Sequence, residues 1–327
     1  NASGVVNSYF GKTWEQSLPD DAYAMMDIDD APYEASFSTF GRGFPHPVRG
    51  DSEIHLTKSY YEAMLTSPFG MEVLAQFAQA AIEGEHLGEN PSPDLLCVSF
   101  SSTDYVGHAF GPHSREVLEM AIHTDRVIAD FLKYLDTRIG LRNTVVVLTS
   151  DHGVTPIPEY IRSRYPTADV GRLSHSTLSD WCNSALVHAF GAPASERSWI
   201  KQLVDGNIYL DYDVIRAKKL DADKIASVLV DSLMNLHEIA LALPRQMILS
   251  CASTSGLEAK LKRSFHPKRS GDVMFVLKPF FCLAEGPEGA EHGNPYEHDA
   301  HVPLILMGEG IRTGTYASEA SPADIGP

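Results

Sequence analysis

Apolar and polar positions along the chain alternate between two periods. From Lys58 to Ile82 the apolar residues recur at helical spacing, and "SPFG" at Ser67–Gly70 interrupts them, which predicts one helix near 57–66 and another near 70–83. "DLLCVSF" (Asp94–Phe100) is a continuous apolar run, the pattern of a strand covered on both faces. Beyond it, Val117, Ala121, Thr124, Ile128, Phe131 and Leu135 fall three or four apart, a helical stripe with Ser114 placed to cap it. "NTVVVLTS" (Asn143–Ser150) is a second β-branched run, so residues 94–150 read as strand, helix, strand. A right-handed crossover would put the ends of both strands on one edge of a parallel sheet.

The expected class is therefore α/β, a mostly parallel central sheet flanked by helices. Between about 165 and 270 the pattern changes to helical pieces ("DADKIASVLVDSLMNLHEIALAL"), a short strand candidate in Asn207–Ile215 and basic residues near Lys218 and Arg263. This predicts an inserted capping subdomain at 165–270 between core segments 1–164 and 271–327. "DVMFVL" (Asp272–Leu277) and "VPLILMG" (Val302–Gly308) are expected to rejoin the main sheet.

Composition narrows the function. Of 327 residues, 26 are Lys or Arg and 43 are Asp or Glu, a formal net charge of −17. That balance argues against a nucleic-acid binder or a protein attracted to anionic membranes. Carboxylates suit divalent cations, although surface acidity also serves solvation alone. Cys97, Cys182, Cys251 and Cys282 form no CxxC pair, so they suggest no thiolate metal site, and one disulfide stays open. No apolar run approaches the ~18 residues of a membrane span. The opening "NASGVV" has no Met and no secretory signal, and "SPADIGP" stops without a terminating element, so both ends read as cuts.

Chemistry concentrates at predicted strand ends. Asp104 and His108 follow the first strand, Asp151 and His152 follow the second, and His292, His298 and His301 precede the last. Ligands in open α/β sheets bind beyond the carboxyl ends of strands, so residues 47 apart in sequence are expected to be neighbours. Imidazole and carboxylate together suit zinc and similar borderline ions. Taken singly, a loop Asp ordinarily caps a turn; the convergence of Asp, His, Asp and His makes the metal reading. Gly153 would let the adjacent Asp151 and His152 turn toward one site.

The segments "SFSSTDYVGHAFGPHS", "VVVLTSDHGV", "SFHPKRSGDVM" and "HGNPYEHDAHVPL" resemble the alkaline phosphatase superfamily. The chain is similar to bacterial alkaline phosphatases with a single threonine nucleophile, neighbours of the nucleotide pyrophosphatase/phosphodiesterases, from about residue 60 onward. The resemblance implies two zinc ions: one held by Asp104, His108 and a late His, the other by Asp151, His152 and an early Asp. His292, which heads an "HG" step, is favoured as the late ligand over His301; His298 and Asp299 are expected to be solvated or hydrogen-bonding loop positions. It also implies hydrolysis of a small phosphate ester and a periplasmic or secreted location.

Three family features are not found: the strand ending in the early Asp, the threonine nucleophile, and the Lys-x-Arg pair that holds phosphate. No Thr in residues 1–92 lies in a matching strand-to-helix context, so the catalytic set of this chain is none, and it reads as a fragment with very poor turnover. His266, Lys268 and Arg269 invite a phosphate-contacting role, but basic residues beside a strand are ordinarily solvated. Two alternatives remain: a phosphodiesterase or nucleotide pyrophosphatase on the same metal frame, and a non-catalytic metal-binding domain. Oligomeric state is not legible.

Overall fold

The computed structural model describes residues 2–35, 41–194 and 197–326. In chain order the helices are α1 (Ala2–Asn7), α2 (Lys58–Leu65), α3 (Pro68–Gly84), α4 (Ser102–Phe110), α5 (Arg115–Arg138), α6 (Pro158–Arg164), α7 (His175–Phe190), α8 (Tyr212–Lys218), α9 (Ala222–Leu233), α10 (Arg245–Ser250), α11 (Gly256–Ser264) and α12 (Glu297–Ala300). The strands are β1 (Lys12–Trp14), β2 (His46–Val48), β3 (Val146–Thr149), β4 (Gly171–Leu173), β5 (Ile200–Val204), β6 (Asn207–Leu210), β7 (Ile239–Pro244), β8 (Val273–Leu277), β9 (Phe281–Leu283) and β10 (Leu304–Met307). Contacts divide the chain into two units. One comprises residues 1–154, 288–290 and 302–327; the other comprises 155–287 and 291–301.

In the first unit, α2 and α3 form where their periodicity predicts, and Pro68 opens α3 with its fixed φ and missing N–H. Met71, Ala75, Ala78 and Ile82 are the buried stripe of α3. α5 begins at its cap, Ser114 Oγ accepting from Val117 N at 3.2 Å. Its buried residues are Glu116, Glu119, Met120 and Leu135, so the buried stripe starts on two carboxylates, and of the apolar positions the spacing selects only Leu135 is buried. Each carboxylate is matched: Glu119 accepts from Ser17 N and Oγ, and Glu116 pairs with His46.

The βαβ expectation is corrected here. Residues 94–100 form no strand and have no ladder partner among the described residues, and β3 pairs antiparallel with β10 in the register Leu148 to Ile305. An apolar run specifies burial, whereas a ladder also needs a neighbouring strand; Leu95 is 87% exposed, so the burial is not realised either.

The second unit has a sheet of order β5-β6-β8-β7, all antiparallel. β8 lies inside it with every residue buried: Val273, Phe275 and Leu277 face one apolar cluster, and Met274 and Val276 the other. Double burial explains its unbroken apolar run, but the strand belongs to this sheet and not, as expected, to that of β3 and β10. "NIYLDYDVI" likewise splits into β6 and α8, because Asp211 accepts from Asp213 N at 2.8 Å and starts a helix. The helical reading of 221–243 holds for α9, capped by Asp221, but "IALAL" becomes β7 beside β8, since a short apolar run carries no decisive period. Among the described residues the one parallel pair is β4 with β9. No described helix is long and apolar enough to cross a membrane. The four cysteines are unbridged, and burial pushes the Cys182 and Cys282 thiols up to about 12.

Candidate metal centre

Asp104 and His108 stand on a helix, not a loop. α4 buries Val106, Ala109 and Phe110 among Trp14, Met71 and Met120, which turns the flank carrying residues 104 and 108 outward. Four positions along a helix is one turn, so their side chains share that flank. His108 Nε2 lies 3.6 Å from Asp104 Oδ1, and both side chains are about one-third exposed.

The tautomer of His108 follows from its other nitrogen. Nδ1 sits 2.8 Å from the carbonyl oxygen of Ala290, which can only accept, so Nδ1 carries a proton and Nε2 is the nitrogen turned toward Asp104. His152 is set the same way: Nδ1 donates to the Gly153 carbonyl at 2.8 Å, while Nε2 lies 3.7 Å from Asp151 Oδ2 and 3.9 Å from Asp104 Oδ1. These separations are too long for hydrogen bonds. They are close to the roughly 3.4 Å between neighbouring donors of a tetrahedral zinc ion with bonds near 2.1 Å. The turn carrying Asp151 and His152 is closed by Ser150 Oγ donating to the His152 carbonyl and by the Asp151 carboxylate accepting from His152 N.

A short strap, residues 288–290, holds the far side of α4. Ala290 N donates to the His108 carbonyl at 2.7 Å, and Gly289 N donates to the Tyr33 carbonyl at 2.8 Å. Gly289 has φ +74°, and a Cβ there would lie 2.6 Å from the His108 oxygen, so only glycine allows this approach. The turn at 31–35 grips α4 directly as Ala35 N donates to the Ala109 carbonyl at 2.8 Å. Tyr33 OH donates to Asp27, and Glu34, 2% exposed, accepts from Ala31 N. Burial first, then the neighbouring charge of Glu116, pushes the Glu34 carboxyl up to about 9. Burial also raises the Glu116 carboxyl, which His46 opposes across a 2.9 Å contact lined by the rings of Trp14, Phe44 and Phe110.

His292 follows the strap by two residues. It belongs to the second unit, whereas Asp104 and His108 belong to the first. His301 is exposed at the end of α12. His298 stacks between Phe280 and Tyr296, and burial lowers its pKa, partly opposed by Asp299. His266, Lys268 and Arg269 are exposed in a turn closed by Ser270 Oγ and by Lys268 N donating to His266 Nδ1. Thr39, within the stretch searched for a nucleophile, lies outside the described residues.

Sequence reasoning missed Thr155, Asn294 and the strap. Asp299 is hydrogen-bonding, one of the two expectations for it, but it does so from α12 and 3% exposed, accepting from Thr155 Oγ1 and from Asn294 N. The only signal for the strap was the Gly and Pro punctuation of "EGPEGAEHG".

Residues 6–301 match the type I phosphodiesterase / nucleotide pyrophosphatase family. Alkaline phosphatase PhoV of Synechococcus elongatus is 32% identical over 333 residues, covering 100% of this chain and 57% of the relative. A Myroides odoratus protein named calcium-transporting ATPase is 30% identical over 331 residues, covering 100% of this chain and 59% of the relative. The crystal structure of wild-type alkaline phosphatase PafA superposes with a TM-score of 0.84 at 28% identity, over 95% of this chain and 58% of that one. The chain thus spans somewhat more than half the length of the relatives it matches.

Proposed function

Because this chain belongs to the type I phosphodiesterase / nucleotide pyrophosphatase family, within the alkaline phosphatase superfamily, we propose that it carries the metal-binding part of a zinc-dependent hydrolase of small phosphate monoesters. One observation carries the reading: two imidazoles, fixed by backbone carbonyls as Nδ1–H tautomers, present Nε2 toward the same carboxylate oxygen of Asp104. A backbone carbonyl on Nδ1 leaves Nε2 as the nitrogen facing the carboxylate, the disposition that metal-bound histidines share.

By likeness to the family, Asp104, His108 and His292 would hold a first zinc ion, and Asp151 with His152 part of a second. A pair of ions at such a site lowers the pKa of an oxygen nucleophile and neutralises the phosphoryl group during in-line displacement. The chain's own contribution is placement. Ala290 holds Nδ1 of His108 and so aims Nε2; Gly153 does this for His152; the turn at 31–35 keeps α4 against the strap. No residue of this chain is assigned as nucleophile, and by itself it is expected to turn over substrate very poorly. The 165–270 segment is proposed as an inserted subdomain and the location as periplasmic or secreted, on likeness to the phosphatases.

A second reading, a diesterase, draws on the family description itself. Turnover of p-nitrophenyl phosphate against its bis ester separates the two. The metal reading is tested by elemental analysis of the chain stripped and reloaded with zinc. Asp104→Ala and His108→Ala should each lose the tighter ion while circular dichroism is retained; unchanged zinc content in both variants would refute the ligand assignment.

A further inference from the structure

We infer that Asp299 is the positioning residue for the late metal ligand, fixing the backbone on both sides of His292 without touching the ion. This rests on the ligand reading of His292 given above. The argument is one of connectivity inside a single unit. Asp299 Oδ1 accepts from Thr155 Oγ1 at 2.9 Å, and Oδ2 accepts from Thr155 Oγ1 at 3.0 Å and from Asn294 N at 2.8 Å. Thr155 in turn donates its own N–H to the Glu291 carbonyl at 3.0 Å. His292 is therefore bracketed: the residue before it is held by the main chain of Thr155, and the second residue after it by the carboxylate of Asp299.

The Asn294 side chain closes the knot. Its Nδ2 donates to the Phe281 carbonyl in β9 at 3.2 Å and reaches Thr155 Oγ1 at 3.3 Å. The same loop is anchored beyond the bracket by Tyr296 OH donating to the Leu277 carbonyl in β8 at 2.7 Å. Asp299 is 3% exposed, and a buried carboxylate is tolerated only where donors replace the water it gives up. Here they come from Thr155 and from a backbone N–H of the ligand loop itself. Gly293, at φ +101°, puts no side chain between His292 and Asn294, and the bonds to Asn294 limit the freedom such a glycine would otherwise leave.

A carboxylate used this way stabilises one backbone path among the several open to a Gly-containing loop, so removing it costs placement before it costs fold. Asp299→Asn keeps the shape but replaces one acceptor oxygen with a donor group, which faces Asn294 N or the Thr155 hydroxyl. The expected result in the otherwise intact chain is a loss of zinc affinity of roughly 10- to 100-fold by competition titration with a chelator. Amide exchange across 291–294 in the metal-free protein should quicken at the same time, with exchange in α7 and α9 unchanged. Thr155→Val should reproduce both effects, and Thr155→Ser, which keeps the hydroxyl, should restore them.

The two claims fail separately. If His292→Ala binds zinc as tightly as the parent, the ligand assignment is wrong, while exchange at 291–294 in Asp299→Asn still reports whether the bracket exists. If Asp299→Asn leaves both exchange and zinc affinity at parental values, the positioning role is overturned. Should Asp299→Asn not fold, the Thr155→Val and Thr155→Ser pair decides: equal exchange at 291–294 in the two would overturn it.

Discussion

The two units of this chain differ in how many charged groups they bury. The unit of residues 155–287 and 291–301 has an apolar interior. Trp199, Ile208, Leu229 and Leu233 are fully buried in one cluster, and a four-stranded sheet with α7 and α9 encloses them. The other unit buries His46, Glu34, Glu116 and Glu119, all under 4% exposed, beside its apolar residues, while strand residues Val147, Leu148, Ile305 and Leu306 are exposed. Burying apolar surface stabilises without regard to direction, whereas burying polar groups succeeds only when each finds a partner in the right place. The unit with the buried carboxylates also carries the candidate ligands of α4 and the Asp151–His152 turn.

The contrast can be broken from either side. Trp199→Ala empties a large volume in the apolar unit and should cost about 3–5 kcal/mol in denaturant unfolding. His46→Ala should cost a similar amount, about 3–5 kcal/mol, for a different reason, since it leaves Glu116 buried without its partner. Adding Glu116→Gln to His46→Ala should recover part of that loss, and no recovery would mean that packing of the aromatic cage, not charge, holds the interior of the first unit.

Glu34 sharpens the same point through pH. Its folded pKa of about 9 lies above the ordinary value of 4.5, so the folded state binds the extra proton between the two. Stability from this group is fully present below about pH 4.5 and is lost as pH rises toward 9. Glu34→Gln should therefore match the parent near pH 4 and exceed it at pH 8 to 9, by an amount on the order of a few kcal/mol. Parallel pH profiles for the two proteins would remove the buried neutral carboxyl from the account. The smallest effect is expected at the exposed strands: Leu148→Lys should change stability by no more than about 0.5 kcal/mol, as for an ordinary surface site. A much larger loss would show that β3 is covered.

Much of the helical structure is legible in the sequence because its causes are local. Ser114 caps α5, Pro68 opens α3, and periodicity marks α2, α3 and α9. The candidate ligands are legible as residue types, but the strand expected before Asp104 and His108 does not form, and both stand on α4. Strand partners were not legible. β8 and β3 have equally apolar runs, yet one is the buried interior of a sheet and the other is half-exposed beside β10. A run of Val and Leu records a preference for burial and says nothing of which strand will lie alongside.

By itself, the sequence determined which residues can donate to a metal, that Asp104 and His108 lie four apart, and where α2, α3, α5 and α9 run. Only the tertiary structure decided which nitrogen of His108 carries the proton, since the Ala290 carbonyl that sets it is 182 residues away. It alone decided that Asp299 accepts from Thr155, 144 residues distant. Helix periodicity and capping act over three or four residues and are written in the local order of the chain; a tautomer or a buried carboxylate's partner depends on which distant backbone groups folding brings within hydrogen-bond reach.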